Sequence, residues 1–422
     1  MQQRLLFLLV LFIFISHVSY SMDATQTPSS EDAVMESAPK VFIDCSYCDM
    51  DYIRTEVTFV NYVRDRKDAQ VHVLITTQST GARGTEYTLL FSGQGKFEGI
   101  DNELKYVSRD TDTSDEIREG LVNTLKIGLV PYAGRTPIAK KISISYQSDV
   151  EQPTTTKDKW DYWVFNLRGQ GYFRGETRSN YYSLGGSFSA NRVTSEFKFQ
   201  AYYSISRNVD RFFLDSGTIV SSSKSQNFSI LAVKSLTDHW SVGAGLSGNS
   251  STYSNIKFAF RTAPAVEYNF FPYSESTRKQ LRFLWKPGLV SYNYYEETIY
   301  DKTSEKLWNE SFSITLDLKQ KWGTVSNSFE ASHYFNDFSK NRLYIYGDLS
   351  IRLFKGLSFN IYGYYSRIRD QLSLPKGNAT LEEVLLRRTQ LETSYNYYYS
   401  IGLGYTFGSI YSRVVNPRFN GY

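Results

Sequence analysis

The chain has 422 residues, 47 Lys and Arg against 43 Asp and Glu for a formal charge of +4, and 16% aromatic side chains. So small an imbalance, with no basic block, excludes nucleic acid as an electrostatic partner. With 2 cysteines in all, a four-cysteine zinc site within one chain is excluded as well, and no cofactor is expected.

MQQRLLFLLVLFIFISHVSYS opens with Arg4, runs apolar from Leu5 to Ile15, and carries Ser19 and Ser21 at the −3 and −1 positions. That layout predicts a secretory signal peptide over residues 1–21. The apolar run is too short for a bilayer-spanning helix, which takes roughly 20 residues. No later segment is long and apolar enough to predict a transmembrane helix. Residues 22–40 are small and polar and read as a flexible leader.

Residues 41–149 have the texture of a compact α+β domain. VFID is a short strand. Asp49 is a candidate N-cap, followed by Ile53, Val57, Val60 and Val63 at helical spacing. QVHVLITT (70–77) and TEYTLLFSG (85–93) read as strands flanking the turn STGARG. Thr113 and Glu116 form a capping box, with Ile117, Leu121 and Leu125 on one face and Gly128 near the end. KKISISYQ (140–147) is expected to close a β-α-β-β-α-β order.

Cys45 and Cys48, the two cysteines, lie at the strand-to-helix junction as C-x-x-C. In an exported, oxidising compartment a local disulfide is the expected outcome. A redox dithiol is the alternative that the spacing leaves open. Against it, Asp44 and Asp49 oppose thiolate formation, and no thioredoxin-like continuation follows.

After a linker at 150–159 the periodicity changes to two, through residues 160–422. In LSFNIYGYY, Leu357, Phe359 and Ile361 oppose Ser358, Asn360 and Tyr362. In SFSITLDLK, Phe312, Ile314 and Leu316 oppose Ser313, Thr315 and Asp317. Such alternation gives a strand one apolar and one polar face. Twelve such strands are expected, centred near residues 167, 186, 201, 231, 244, 263, 285, 315, 330, 348, 362 and 402. Even-numbered connections are short and odd-numbered ones longer and more polar, with NVDRFFLDSGTIVSSSKS and residues 370–393 as the longest. ETRSN is a short exception. Trp160, Trp163, Trp240, Phe270, Phe271, Trp322 and Phe407 cluster at strand ends. Loop asymmetry, even strand count and aromatic girdles predict a β-rich two-domain chain: a transmembrane antiparallel β-barrel of about twelve strands, preceded by the α+β domain on the periplasmic side.

Turning the polar face inward places twelve charges in the lumen of that barrel. They are Arg168, Arg174, Lys198, Arg261, Arg282, Lys286, Lys319 and Arg352, with Glu267, Asp317, Glu330 and Asp348; Glu196 is read inward beside them. A mildly cationic lumen suits small polar or anionic solutes. The same charges can instead pair across a narrow barrel and fill it. His72, His239 and His333 are the histidines beyond the signal peptide, and His333 falls in the phase of Phe329 and Ala331, hence on the lipid face. A lipid-facing hydrolase built on it is a minor alternative, and no enzyme is expected. Within 370–393, Leu381, Val384, Leu385 and Arg388 predict a short helix in a loop that either folds into the mouth or caps it. Beyond Phe407, Pro417 argues against a strand through the last residues.

Residues 41–77 and 369–419 resemble a family of exported bacterial proteins described as outer-membrane β-barrels of unassigned activity. That resemblance implies location and architecture and supplies no site residues. In element order, residues 41–149 are also similar to the small α/β domains of periplasmic assembly proteins, such as the first domain of TolB or polypeptide-transport-associated modules. The expected partners are therefore outer-membrane lipid and a periplasmic protein docking on residues 41–149. The expected function is a pore, with an occluded structural or assembly barrel as the alternative.

Overall fold

The computed structural model describes residues 35–81, 83–145, 160–377, 390–411 and 418. The expected signal peptide, the 150–159 linker and the expected helix around 381–388 lie outside the described residues.

The N-terminal domain runs β1 (Lys40–Asp44), α1 (Met50–Glu56), β2 (Asn61–Tyr62), β3 (Val71–Ser79), β4 (Thr85–Gly93), β5 (Asp101–Ser108) and α2 (Ser114–Ala133). Its sheet has the order β2-β1-β3-β4-β5. The first three strands are parallel and the last three antiparallel. Val41, Val71, Val73, Leu89 and Phe91 pack on Ile53 of α1 and on Leu121, Leu125 and Leu129 of α2, a single apolar core. Asp49 caps α1 by accepting from Tyr52 N, and Thr113 with Glu116 forms the expected capping box. Glycines let α2 lie close on the sheet. A Cβ on Gly128 would stand 2.0 Å from Phe91 Cζ, and one on Gly120 would stand 2.3 Å from the Tyr106 ring.

Three expectations for this domain need correction. α1 stops at Glu56, well before Val63, because Tyr62 folds back and its hydroxyl donates to the carbonyls of Ile53 and Val57. The Val57 carbonyl would otherwise need the next helical turn, whereas that of Ile53 already accepts from Val57 N. The edge strand β5 was not expected; its alternation of exposed and half-buried residues is carried largely by polar side chains. The strand at 140–147 does not form through residue 145, where the described residues end. Pro137 starts a 3-10 turn to Lys141, and β5 already occupies the position beside β4.

The second unit is a twelve-stranded antiparallel meander, each strand paired with its sequence neighbour. The strands are β6 (Trp163–Glu176), β7 (Ser179–Val193), β8 (Phe197–Leu214), β9 (Gly217–Ser235), β10 (Trp240–Ser251), β11 (Ile256–Asn269), β12 (Lys279–Tyr294), β13 (Ser304–Gln320), β14 (Gly323–Tyr334), β15 (Asp337–Phe354), β16 (Leu357–Ile368) and β17 (Tyr395–Tyr405). All twelve expected strands are present. The supposed long loop around 208–225 is instead a hairpin, in which Asp210 faces Ser221 and Phe212 faces Ile219. Polar alternation continued through it, and the hydroxyl-rich run was mistaken for loop composition. Loop asymmetry therefore rests on 295–303 and 369–394 rather than on every odd connection.

The sheet curls into a barrel. The N-terminal domain reaches Ser189 on β7, Ser276 between β11 and β12, and Arg352 and Lys355 at the β15–β16 turn. One small domain touches strands from both halves of the sheet because the sheet curves around it. Among the described residues no pairing joins β6 to β17, so these two edge strands of the curved sheet are unpaired with each other.

Candidate functional site

Register sorts the barrel into two chemically distinct faces. One carries Ser189, Asn191, Ser241, Asn269, Asn309, Ser311 and Ser366, all buried. The other carries exposed Leu167, Phe188, Phe260, Trp285, Phe312, Phe329, Ile345 and Leu403, with Leu167 84% and Leu403 70% exposed. A polar interior under an apolar exterior reverses the arrangement of a water-soluble protein. Rings stack around the turn-side rim: Trp163 lies 5.8 Å from Phe165 and 5.4 Å from Phe199, and Trp240 lies 4.7 Å from Tyr268.

All twelve charged residues singled out in the sequence fall on the polar face. Arg168 and Arg174 lie on β6, Lys198 on β8, Arg261 and Glu267 on β11, and Arg282 and Lys286 on β12. Asp317 and Lys319 lie on β13, Glu330 on β14, and Asp348 and Arg352 on β15. Few of them meet. Arg282 is 3.7 Å from Glu267, which also accepts from the Tyr273 hydroxyl at 2.8 Å. Asp317 accepts from Ser326 at 2.5 Å. Arg352 turns away from its neighbours to Asp44 of the N-terminal domain.

That pair is the centre of the docking interface. Arg352 Nη2 donates to Asp44 Oδ1 at 2.5 Å, and Nη1 donates to Oδ2. His72 Nε2 lies 3.3 Å from Asp44 Oδ2, and the guanidinium sits 5.2 Å from the Phe42 ring. Burial pushes the Asp44 carboxyl up, but the hydrogen bonds and charge of Arg352, then His72, outweigh it and hold the pKa at about 2. Around it, Asp68 meets Lys355 Nζ at 2.7 Å, Asp65 accepts from Gly356 N at 2.7 Å, and Arg64 donates to the carbonyls of Phe407 and Gly408. Residues beyond β17 then meet the domain's backbone beside its sheet. Tyr411 bridges Val63 beside β2, and Arg64 N donates to Ile410 O at 2.8 Å.

The β3–β4 hairpin carries the domain into the lumen. Its tip, the STGARG stretch read only as a turn, lines a cavity of about 750 Å³ together with inward residues of β6 to β11. Arg83 Nη1 donates to Ser189 Oγ at 3.0 Å. Its φ of 65° is left-handed, a conformation that costs about 1 kcal/mol in a non-glycine residue. Gly81 fits because a Cβ there would stand 2.3 Å from Val193 Cβ. Sequence reasoning missed Arg83, since a single basic residue in a turn has no period to mark it.

At the opposite end, residues 369–377 cross the mouth. Leu372 packs with Val290 and Tyr334, and Asp370 meets Arg342 at 2.9 Å. Asn255 Nδ2 donates to Ser373 O at 2.9 Å and to Glu296 O at 3.0 Å. Of the two arrangements expected for this loop, its described part therefore takes the one folded into the mouth. Beneath it lies a cavity of about 360 Å³, lined by Arg261, Glu330, Arg342 and Asp370 among others. Arg261 lines both cavities.

Cys45 and Cys48 form a disulfide with Cα atoms 5.6 Å apart, directly after Asp44. His333 faces outward, where its Nε2 lies 2.9 Å from Glu310 Oε1 and its ring packs on Phe335 and Phe338. The serines beside this pair, Ser311 and Ser332, are paired with each other on the inward face.

No family model matches the chain, and no curated protein matches it. Among solved structures, it is similar at a TM-score of 0.28 and 12% identity to the NanC porin, over 58% of this chain and 100% of that one. It is similar at 0.26 and 10% identity to the translocator domain of the autotransporter NalP from Neisseria meningitidis, over 58% and 87%. Scores this low carry no weight for function, and the architecture stands on the chain's own hydrogen bonding.

Proposed function

We propose that the chain is an outer-membrane β-barrel pore for small polar or anionic solutes, plugged from the periplasmic side by its own N-terminal domain. One observation carries the reading: the strands turn a mainly apolar face outward and a mainly polar face inward, with β9 mixed. The inward face holds the charges of β6, β8, β11, β12, β13, β14 and β15. An apolar exterior of this kind belongs in lipid, and strands of 11 to 19 residues exceed the ~10 needed for a tilted crossing. A polar interior needs water or solute to satisfy it. The hairpin tip and the mouth segment then act as two gates in series. The exposed β5 edge of the same domain leaves a site for a periplasmic protein to add a strand.

The hairpin and the mouth segment also favour a second reading, a permanently occluded barrel with a structural or assembly role. Planar-bilayer recording separates the two. The pore reading expects discrete conductance from the folded full chain, with a reversal potential that indicates anion preference. A folded barrel that never conducts, in the wild type or after either gate is loosened, overturns the pore and leaves the occluded barrel.

A further inference from the structure

Three basic side chains of the inner wall have acidic partners. Arg282 has Glu267, Arg342 has Asp370 and Arg352 has Asp44. The cavity at the hairpin tip differs. Arg83, Arg168 and Arg261 all line it, and among the described residues its lining includes no Asp or Glu. The remaining polar lining is neutral, with Ser187, Asn191, Gln200 and Ser247 contributing hydroxyls and amides. Arg83 bonds a neutral hydroxyl, that of Ser189.

We propose that this cavity is a binding site for a small multivalent anion carrying carboxylate or phosphate groups, and that the N-terminal domain supplies part of it through Arg83. The inference rests on the reading of the lumen as a solute passage and deepens it by naming the ligand class. Three arginines lining one cavity with no carboxylate among its described lining give it a positive potential. An anion offsets that potential and accepts paired N–H bonds in the fork geometry that guanidinium presents. The volume of about 750 Å³ suits a metabolite-sized ligand rather than a polymer.

Shared construction has a thermodynamic consequence. Two of the arginines belong to the wall and one to the plug, so the site is complete only while the domain is docked. A ligand that needs all three binds the docked state more tightly and, by linkage, stabilises docking. The plug is thus a solute-sensing element as well as an obstruction.

The test uses the full chain in detergent micelles, with isothermal titration of citrate and of pyrophosphate as probes and acetate as a monovalent control. Both probes are expected to bind, acetate far more weakly. R83A, R168A and R261A are each expected to lose about tenfold or more in affinity, and R83K to keep most of it. The gel mobility of unheated samples verifies that each variant barrel is folded. In a second readout, citrate slows tryptic release of the N-terminal domain from the wild type but not from R83A. Binding of citrate alone or pyrophosphate alone supports the site and narrows its class to carboxylates or phosphates. Failure of both probes to bind, or R83A binding like the wild type, overturns it. Conductance without binding sinks this site and spares the pore; binding without conductance does the reverse.

Discussion

Arg352, on the inner face of β15, grips both carboxylate oxygens of Asp44, a residue 308 positions earlier in the chain. The contact joins the last residue of the domain's first strand to the rim of the barrel. It makes docking sensitive to acid in a predictable direction. Asp44 has its pKa depressed from 3.8 to about 2, so the charged form favours the docked state. The share of that contribution due to Arg352 is fully present above pH 4 and is lost as pH falls through 2. Wild-type docking, followed by proteolytic release of the domain with an acid-stable protease, should weaken between pH 4 and pH 2. D44N should be weakened already at pH 7 and lose less than the wild type in that window, the remainder coming from Asp65 and Asp68. An identical acid profile for both proteins would remove Asp44 from the interface.

The disulfide next to Asp44 closes a loop of sequence separation 3. Chain-entropy arithmetic for so short a loop gives roughly 2 kcal/mol. A C45S/C48S double variant should lower the thermal midpoint of the N-terminal domain, measured by near-UV circular dichroism, and leave the barrel's own unfolding unchanged. Mass spectrometry with and without reductant checks the premise. Freely alkylatable thiols in the unreduced protein would count against it.

Gly81 gives the most direct handle on the inner gate. A side chain at this position meets Val193 at 2.3 Å from the first added carbon, and Val193 sits in a wall that gives little. G81V should expel the hairpin tip while leaving the domain's core intact. Conductance should rise several-fold over wild type, with the domain still folded by circular dichroism. Unchanged conductance would mean that the tip does not gate.

The outer gate depends on Asn255. Its φ of 56° suits asparagine, and its amide holds Glu296 and Ser373 together. N255A strands those backbone partners and adds left-handed strain, at a combined cost of about 3 kcal/mol. The 369–377 segment should detach, and fluctuations in single-channel current from the outer side should become more frequent. A quiet channel with an undisturbed mouth segment would contradict this.

Period-two alternation made the barrel legible, because a wall with lipid on one side and water on the other forces each strand to alternate. All twelve lumen charges share the face that the alternation assigned them. Long-range contacts were not legible. Nothing local distinguishes Arg352, which leaves the lumen network for Asp44, from Arg282, which stays within it. Arg83 was hidden because its role comes from where the hairpin is inserted, a property of tertiary geometry with no sequence period. The β8–β9 extension has the opposite reason: Ser221, Ser223 and Ser225, which read as loop residues, are ordinary inward-facing strand residues. β5 was overlooked because an exposed edge strand buries too little apolar surface to leave a hydrophobic signature.

The pairing of Tyr411 with Val63 has a consequence in time. The N-terminal domain leaves the ribosome first, and among the described residues the backbone at Val63 beside β2 is bridged by Tyr411, which follows the twelfth strand. Arg64 and Gly408, which meet there, are 344 positions apart, a closure costing roughly 5 kcal/mol for a featureless loop. Hairpins formed in between shorten that loop almost to nothing. The clasp therefore closes cheaply on a completed barrel and not on a partial one. A half-built chain would leave that backbone unbridged, and seating of the domain would mark the moment at which assembly is complete.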